Sequence, residues 1–137
     1  MLELLQLLSK ITPSLLTHVG TTIRIPNPPY MTLTVENIGP GPRQFPALSL
    51  CHYGEQNGDA MRDPEMCFEV ELEDGRLKQI HPFYFRNDYA GIEQFARDQE
   101  TGLMDARTVQ TQKEFAELWS RKLTEQGFLR GYIHASR

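Results

Sequence analysis

The sequence predicts a single α+β domain over residues 1–137, in which an antiparallel four- to five-stranded meander sheet carries the N-terminal and C-terminal helices packed on one face. Apolar residues recur at helical spacing near both ends of the chain. Between them, apolar and polar residues alternate as they do in strands, and short turn signals separate the alternating runs. A chain of 137 residues suits one domain with one core.

The first predicted helix is a leucine-rich segment from about residue 2 to residue 10. Its apolar residues are spaced by three or four positions: Leu4, Leu8, Ile11 and Leu15. Thr12 and Pro13 predict a break, with Thr12 as the N-cap of a second short helix. The same leucines are open to another interpretation, because an apolar helix face also forms dimer interfaces. A homodimer through this helix is therefore a separate hypothesis.

The strands are predicted where β-branched and apolar residues alternate with polar ones, at 21–25, 30–38, 47–53, 68–73 and 76–85. In the fourth strand Phe68, Val70 and Leu72 are expected to point inward. The glutamates between them are expected to form a solvated face: Glu69, Glu71 and Glu73. Asp74-Gly75 is a favoured pair for a two-residue hairpin turn. Pro82 predicts a bulge or an edge position.

The C-terminal third is predicted to contain a short helix over 89–98, a loop over 99–109 and a longer helix from Gln112 to Gln126. Thr111 and Glu114 form a potential capping box at its start, and Gly127 is a plausible C-terminal cap. The residues expected to bury this helix recur at helical spacing: Phe115, Leu118, Trp119 and Leu123.

Charge and composition exclude several classes of function. The chain has 14 Lys and Arg residues against 18 Asp and Glu residues, a net charge of −4. This acidic balance argues against a nucleic-acid partner, since phosphate-backbone binding needs a basic face. No apolar run is long enough for a membrane span, and the leucine-rich start lacks the features of a signal peptide. Two cysteines, Cys51 and Cys67, form no disulfide framework and are expected as buried thiols in a reducing cytoplasm.

The most unusual stretch is a polar segment at 54–65, predicted as a loop of about 12 residues between two strands. Loops of this length are often functional, and Gly54 and Gly58 permit backbone angles that other residues resist. We interpret the segment as the acidic contact surface of a non-catalytic module that binds another protein. The predicted surface also includes the segment that follows the fifth strand. Its residues are His52, Tyr53, Glu55, Gln56, Asn57, Asp59, Arg62, Asp63, Glu65, Arg86, Asn87 and Asp88.

A metal-dependent hydrolase or nuclease is the alternative interpretation of the same acidic residues. Asp59, Asp63 and Glu65 are oxygen ligands of the kind that Mg²⁺ and Ca²⁺ prefer, although their spacing is not that of an EF-hand. Glu69 would join them in a nuclease-like centre, but Glu71 stands where such a centre has a lysine. The simpler expectation is a solvated loop without metal.

Other chemistry finds less support in the sequence. Cys51, His52, Cys67 and His81 are zinc-ligating residue types without zinc spacing. Cys51 and His52 are neighbours on a predicted strand, so they point to opposite faces and form no nucleophilic pair. No phosphate-binding loop or dinucleotide turn is present, and no cofactor is predicted. The aromatic residues of 83–89 are expected in the core rather than on a base-stacking surface.

Two segments carry a resemblance to a family. Residues 52–59, 62–66 and 68–70 read HYGEQNGD, RDPEM and FEV, and residues 83–91 read FYFRNDYAG. Over about residues 31–95 the chain resembles a family of small bacterial domains of unknown function found in plasmids, phages and integrative elements. The resemblance implies an accessory protein of a mobile element and supplies no catalytic residues. It also suggests that the two segments lie together as one polar surface.

Overall fold

The computed structural model describes residues 1–98 and 100–135. One sheet contains six strands in chain order, each antiparallel to the next, so the α+β class and the meander are confirmed. The elements are α1 Leu2–Ile11, α2 Ser14–Thr17, β1 Thr22–Asn27, β2 Tyr30–Pro40, β3 Pro46–Gln56, β4 Asp59–Glu73, β5 Arg76–Asn87, β6 Ile92–Phe95, α3 Ala106–Glu125 and α4 Phe128–Ala135.

The prediction of four or five strands is wrong because β6 occupies residues that were expected to form a short helix. Gly91 adopts a positive φ of 66° and helps to reverse the chain after β5. The ring of Phe95 then packs against that of Tyr84 on the neighbouring strand, with centroids 5.0 Å apart. Because Ile92 and Phe95 both remain exposed, no helix face is buried here, and the helical spacing was misleading.

All four helices contribute to one apolar core on one face of the sheet, which we call the helix face. Its large, fully buried side chains come from both layers: Leu5, Leu8, Leu15, Leu33, Leu48, Leu50, Met66, Phe68, Leu123 and Phe128. Trp119 belongs to this core as predicted, but Leu118 is 45% exposed. Leu118 lies about 100° around the helix from Trp119 and faces solvent. Among the described residues, no helix combines the length and apolar character that crossing a membrane requires.

The predicted starts of two helices are wrong. Helix α3 begins at Ala106, where Asp105 Oδ1 accepts hydrogen bonds from the backbone nitrogens of Arg107 and Thr108. Thr111 instead lies inside the helix. Thr12 does not cap α2, because its hydroxyl forms a hydrogen bond of 2.6 Å with Tyr132 Oη.

Two hairpins connect β3, β4 and β5, and both use two-residue turns. Asp74 and Gly75 have φ values of 53° and 75°, as the predicted turn requires. Asn57 and Gly58 have φ values of 53° and 84° and form a turn of the same kind. The predicted loop over 54–65 is therefore wrong: β3 and β4 continue through it, since Asn-Gly is also a favoured hairpin pair.

Two further positions lie where the pairing of β4 with β5 is irregular. The register of β4 and β5 shifts opposite Pro82, as predicted. A second shift lies between Glu71 and Leu72, and Leu72, opposite Leu77 near the end of β4, is 39% exposed, so its predicted buried position is wrong.

The opposite face of the sheet, which we call the polar face, buries charged and polar side chains. Glu69 is 0% exposed, so its predicted place on a solvated face is wrong. The segment 41–45 folds over it, and Arg43 donates from its backbone nitrogen and Nε to the two carboxylate oxygens at 2.8 and 2.9 Å. A side chain at Gly41 would overlap the Cγ of Glu69, which explains the glycine there. Cys51 and Cys67 are buried free thiols, as predicted.

Candidate functional site

The end of the β3–β4 hairpin leaves the sheet ladder. The pairing of β3 with β2 ends at Leu33 and His52, and the pairing of β4 with β5 ends at Glu65 and Arg86. Beyond these points β3 and β4 pair only with each other, through Tyr53–Arg62, Gly54–Met61, Glu55–Ala60 and Gln56–Asp59. We call residues 53–62 the hairpin arm. The predicted surface residues within this range lie on a two-stranded projection instead of an irregular loop.

An aromatic contact supports the base of the arm. Tyr89 lies across Gly54 so closely that a Cβ at Gly54 would be 2.6 Å from Tyr89 Oη and 3.2 Å from the sulfur of Met31. Tyr89 Oη also donates a hydrogen bond of 3.4 Å to the carbonyl of Glu55. The absence of a side chain at Gly54 therefore allows the turn after β5 to brace the arm.

A polar network supports the same base. The backbone nitrogen of Arg62 donates to Asp88 Oδ2 at 2.8 Å, and the backbone nitrogen of Asp88 donates to the Arg62 carbonyl at 2.9 Å. Arg86 Nε donates to Asp88 Oδ1 at 2.6 Å, and Asn87 Nδ2 donates to Asp63 Oδ1 at 2.9 Å. The two segments that the sequence singled out thus lie side by side.

This network shifts the titration of its charged members. The hydrogen bond from the Arg62 backbone nitrogen, followed by that from the Arg86 side chain, lowers the pKa of Asp88. The Asp88 carboxylate in turn raises the pKa of Arg86. Both groups are charged at neutral pH, so the network holds the 86–89 turn against the arm as a set of charge-assisted contacts.

The surface around the arm has the residue types of a protein interface. Residues 55–60 are exposed and include the carboxylates of Glu55 and Asp59. Two exposed tyrosines and a methionine belong to the arm, to the bracing turn and to the start of β2 beside the base of the arm: Tyr53, Tyr89 and Met31. Tyrosine, methionine and arginine are enriched in interface centres. Met31 was not predicted as a surface residue, because nothing in its local pattern shows that β2 begins beside the arm.

His52 is buried on the helix face and is not part of this exposed surface. It is 7% exposed and lies between the rings of Trp119 and Phe128, with centroids 5.5 and 5.3 Å away. Burial lowers the pKa of His52, because the charged imidazolium loses its hydration there. The neutral ring acts as a core aromatic residue.

Glu65 is also buried, on the polar face. Ser49 Oγ donates to Glu65 Oε2 at 2.5 Å, and Arg62 Nη1 lies 3.3 Å from Glu65 Oε1. Burial, with a smaller contribution from the Glu65 charge, raises the pKa of the neighbouring Cys51 thiol to about 12 and also raises the pKa of Cys67. Neither thiol is a nucleophile at neutral pH, since the thiolate is the reactive form.

The acidic residues proposed for metal binding do not converge. Asp59 and Glu65 are separated along β4 by roughly 20 Å, at about 3.3 Å per residue. Asp63 accepts a hydrogen bond from Asn87, and Glu69 is paired with Arg43. Within residues 1–98 and 100–135, no group of three or more His, Cys, Asp and Glu side chains is placed to hold a metal ion.

Two further groups of residues serve the interior. The leucines of α1 that were considered for a dimer interface, Leu4 and Leu8, are buried in the chain's own core. Phe83 and Tyr84 are buried on the polar face, where they form a small cluster with Ala47 and Cys67. No base-stacking platform forms from the described residues of 83–89, since Tyr89 alone among these aromatic residues is exposed.

The comparisons with known proteins show the family. A family model described as "Domain of unknown function (DUF6908)" matches residues 1–129, so the chain belongs to this family. The match extends over the helices at both ends as well as the segments on which the resemblance was based. No curated protein and no solved structure matches the chain.

Proposed function

We propose that this member of the DUF6908 family is a protein-binding module whose contact surface is the hairpin arm with the exposed tyrosines at its base. The observation that carries the proposal is the geometry of residues 53–62, which leave the ladder while a turn from another hairpin braces them. A two-stranded hairpin is marginally stable by itself. The contacts with the bracing turn therefore stabilise a projection that lies outside the core. Such a projection is suited to contact another molecule.

The charge of the arm indicates the kind of partner. Its distal carboxylates, Glu55 and Asp59, form no ion pair within the described residues. The arginine within the arm, Arg62, forms an ion pair with Glu65. An acidic tip above a tyrosine-rich base complements a basic protein surface with an apolar centre. Association with such a surface is accelerated by charge and slows as the salt concentration rises.

The biological setting that we propose rests on the resemblance of residues 52–59, 62–66, 68–70 and 83–91 to small bacterial domains of mobile elements. In that setting the module is an accessory protein of a plasmid, phage or integrative element and acts in the cytoplasm. The partner is then a host or element protein with a basic contact surface.

The experiment is a capture from the native host with tagged wild-type protein and two matched charge variants. The test variant carries Glu55→Gln and Asp59→Asn in the arm. The control carries Glu73→Gln and Asp74→Asn at the β4–β5 turn, which has the same backbone type and loses the same charge. Melting curves should show that each variant keeps its stability within about 0.5 kcal/mol, as exposed substitutions usually do.

We expect mass spectrometry to identify a partner that is retained by the wild type and the control and lost with the arm variant. With the purified partner, the association rate of the wild type should fall as salt increases, whereas that of the arm variant should depend less on salt. Equal capture by both variants, or no specific capture by the wild type, would contradict the proposal.

A further inference from the structure

A groove lies at the end of the molecule opposite the arm, between α1, α2 and the start of β5. Its volume is about 620 Å³, which is within the range of small-molecule sites. Its floor includes the buried residues Ser9, Leu16 and Leu77. Gln6 Nε2 donates to the carbonyl of Leu77 at 3.0 Å and thereby joins α1 to β5 beside the groove.

Two cations stand at the rim of this groove, Lys10 from α1 and Arg76 from β5. Both are exposed, and neither forms an ion pair with another described residue. The carboxylates at the neighbouring turn, Glu73 and Asp74, line an adjoining depression instead, and Glu73 is held by Lys78 at 2.8 Å. The groove therefore combines an apolar floor with two positive charges that form no ion pair with a carboxylate of the described residues.

We infer that this groove binds a small organic anion with an apolar body, of the class of alkyl phosphates and alkyl carboxylates. The anionic group lies between Lys10 and Arg76, where the guanidinium can form two parallel hydrogen bonds with phosphate or carboxylate oxygens. The apolar body lies on Leu16 and Leu77, and the alkyl chain itself is thereby partly removed from water. This site shares no residue with the arm, so the inference is independent of the proposed function.

The test is calorimetric titration of the full chain with octyl phosphate, used below its micelle-forming concentration. Inorganic phosphate and octanol serve as probes that each lack one half of the ligand. We expect octyl phosphate to bind with a Kd of roughly 1 mM or tighter. Inorganic phosphate should bind at least about tenfold more weakly, because burial of two methylene groups is already worth about that factor. Octanol should also bind more weakly.

The matched variants are Lys10→Gln with Arg76→Gln in the groove, and Lys113→Gln with Lys122→Gln on the exposed side of α3. The groove variant should weaken octyl phosphate binding about tenfold, and the control should change it by less than about twofold. Unchanged affinity in the groove variant, or equal affinity for octyl phosphate and inorganic phosphate, would overturn the inference. So would a wild-type chain that does not bind octyl phosphate.

A second measurement distinguishes the two sources of such an anion. Vesicles of phosphatidylcholine with phosphatidic acid should sediment the wild-type chain if the natural ligand is a lipid headgroup. If the chain binds octyl phosphate but stays in solution with these vesicles, the ligand is a free small molecule.

Discussion

The helix face of the sheet is filled by apolar side chains, whereas the polar face is filled by groups that are hydrogen-bonded or charged. On the helix face, residues such as Leu50 and Phe68 share one apolar core with side chains of the four helices. On the polar face, Glu69 forms an ion pair with Arg43. Glu65 accepts a hydrogen bond from Ser49 and forms an ion pair with Arg62. Both faces are buried at the centre of the sheet, although the apolar core to which the four helices contribute lies on the helix face.

Because the two faces are stabilised by different interactions, substitutions on them should have different effects on stability. Apolar burial stabilises the fold roughly in proportion to the area removed from water. Truncation of a buried apolar side chain therefore lowers the free energy of unfolding according to the buried area that is lost and the cavity that is left. A buried charge is stable only while its partner is in place. The polar face therefore determines where the segment 41–45 lies, because Glu69 has no other partner among the described residues than Arg43.

The largest expected effect is on the helix face, at Trp119. Trp119→Ala should lower the free energy of unfolding by about 3–5 kcal/mol, because it opens a cavity beside Phe115 and His52. Leu118→Ala, at the exposed neighbouring position, should cost less than about 1 kcal/mol. Chemical denaturation of the two variants tests this contrast, and similar losses at both positions would contradict the packing of α3.

The next effect is on the polar face, at Glu69. Glu69→Ala leaves Arg43 without its carboxylate and should cost about 2–4 kcal/mol, less than a fully buried pair because Arg43 is 28% exposed. Glu71→Ala removes a half-exposed partner of His81 and should cost less than about 1 kcal/mol. Urea denaturation should separate the two, and hydrogen exchange should show new opening of segment 41–45 only in the Glu69 variant. Equal stability of the two variants would mean that the polar face is not held by this pair.

The smallest expected effect is the contribution of His52, on the helix face, to the pH dependence of the free energy of unfolding. Its pKa in the folded chain is below the ordinary value of 6.5, so the unfolded chain binds a proton first as the pH falls. Stability should be unaffected by His52 above about pH 6.5 and should decline below it, by at most about 1.4 kcal/mol per pH unit. His52→Gln should reduce this slope. Identical slopes in the wild type and His52→Gln would contradict a neutral, buried imidazole.

Local patterns predicted the parts of the fold that depend on neighbours in the sequence. Leucine spacing predicted α1, Asp74-Gly75 predicted the β4–β5 turn, and Pro82 predicted the bulge. The turn at Asn57-Gly58 could have been predicted in the same way, because Asn-Gly, like Asp-Gly, is a favoured pair for a two-residue hairpin turn. Its neighbourhood of polar residues was interpreted as a loop, which concealed the hairpin arm.

Other features depended on contacts between distant segments. The helical spacing around Ile92 and Phe95 was a weak local signal, and pairing with β5 overrode it. The same holds for the site: the sequence singled out the acidic residues of the arm, but it did not show that Met31 lies beside the base of the arm.

The sequence by itself determined which side chains share a face, because strand alternation is a property of consecutive residues. It placed Glu69 opposite Phe68 correctly. Only the tertiary structure decided that Glu69 is buried, because burial depends on whether another segment covers the face. That segment reaches Glu69 through Arg43, which is 26 residues away in the chain, and no local pattern records such a contact.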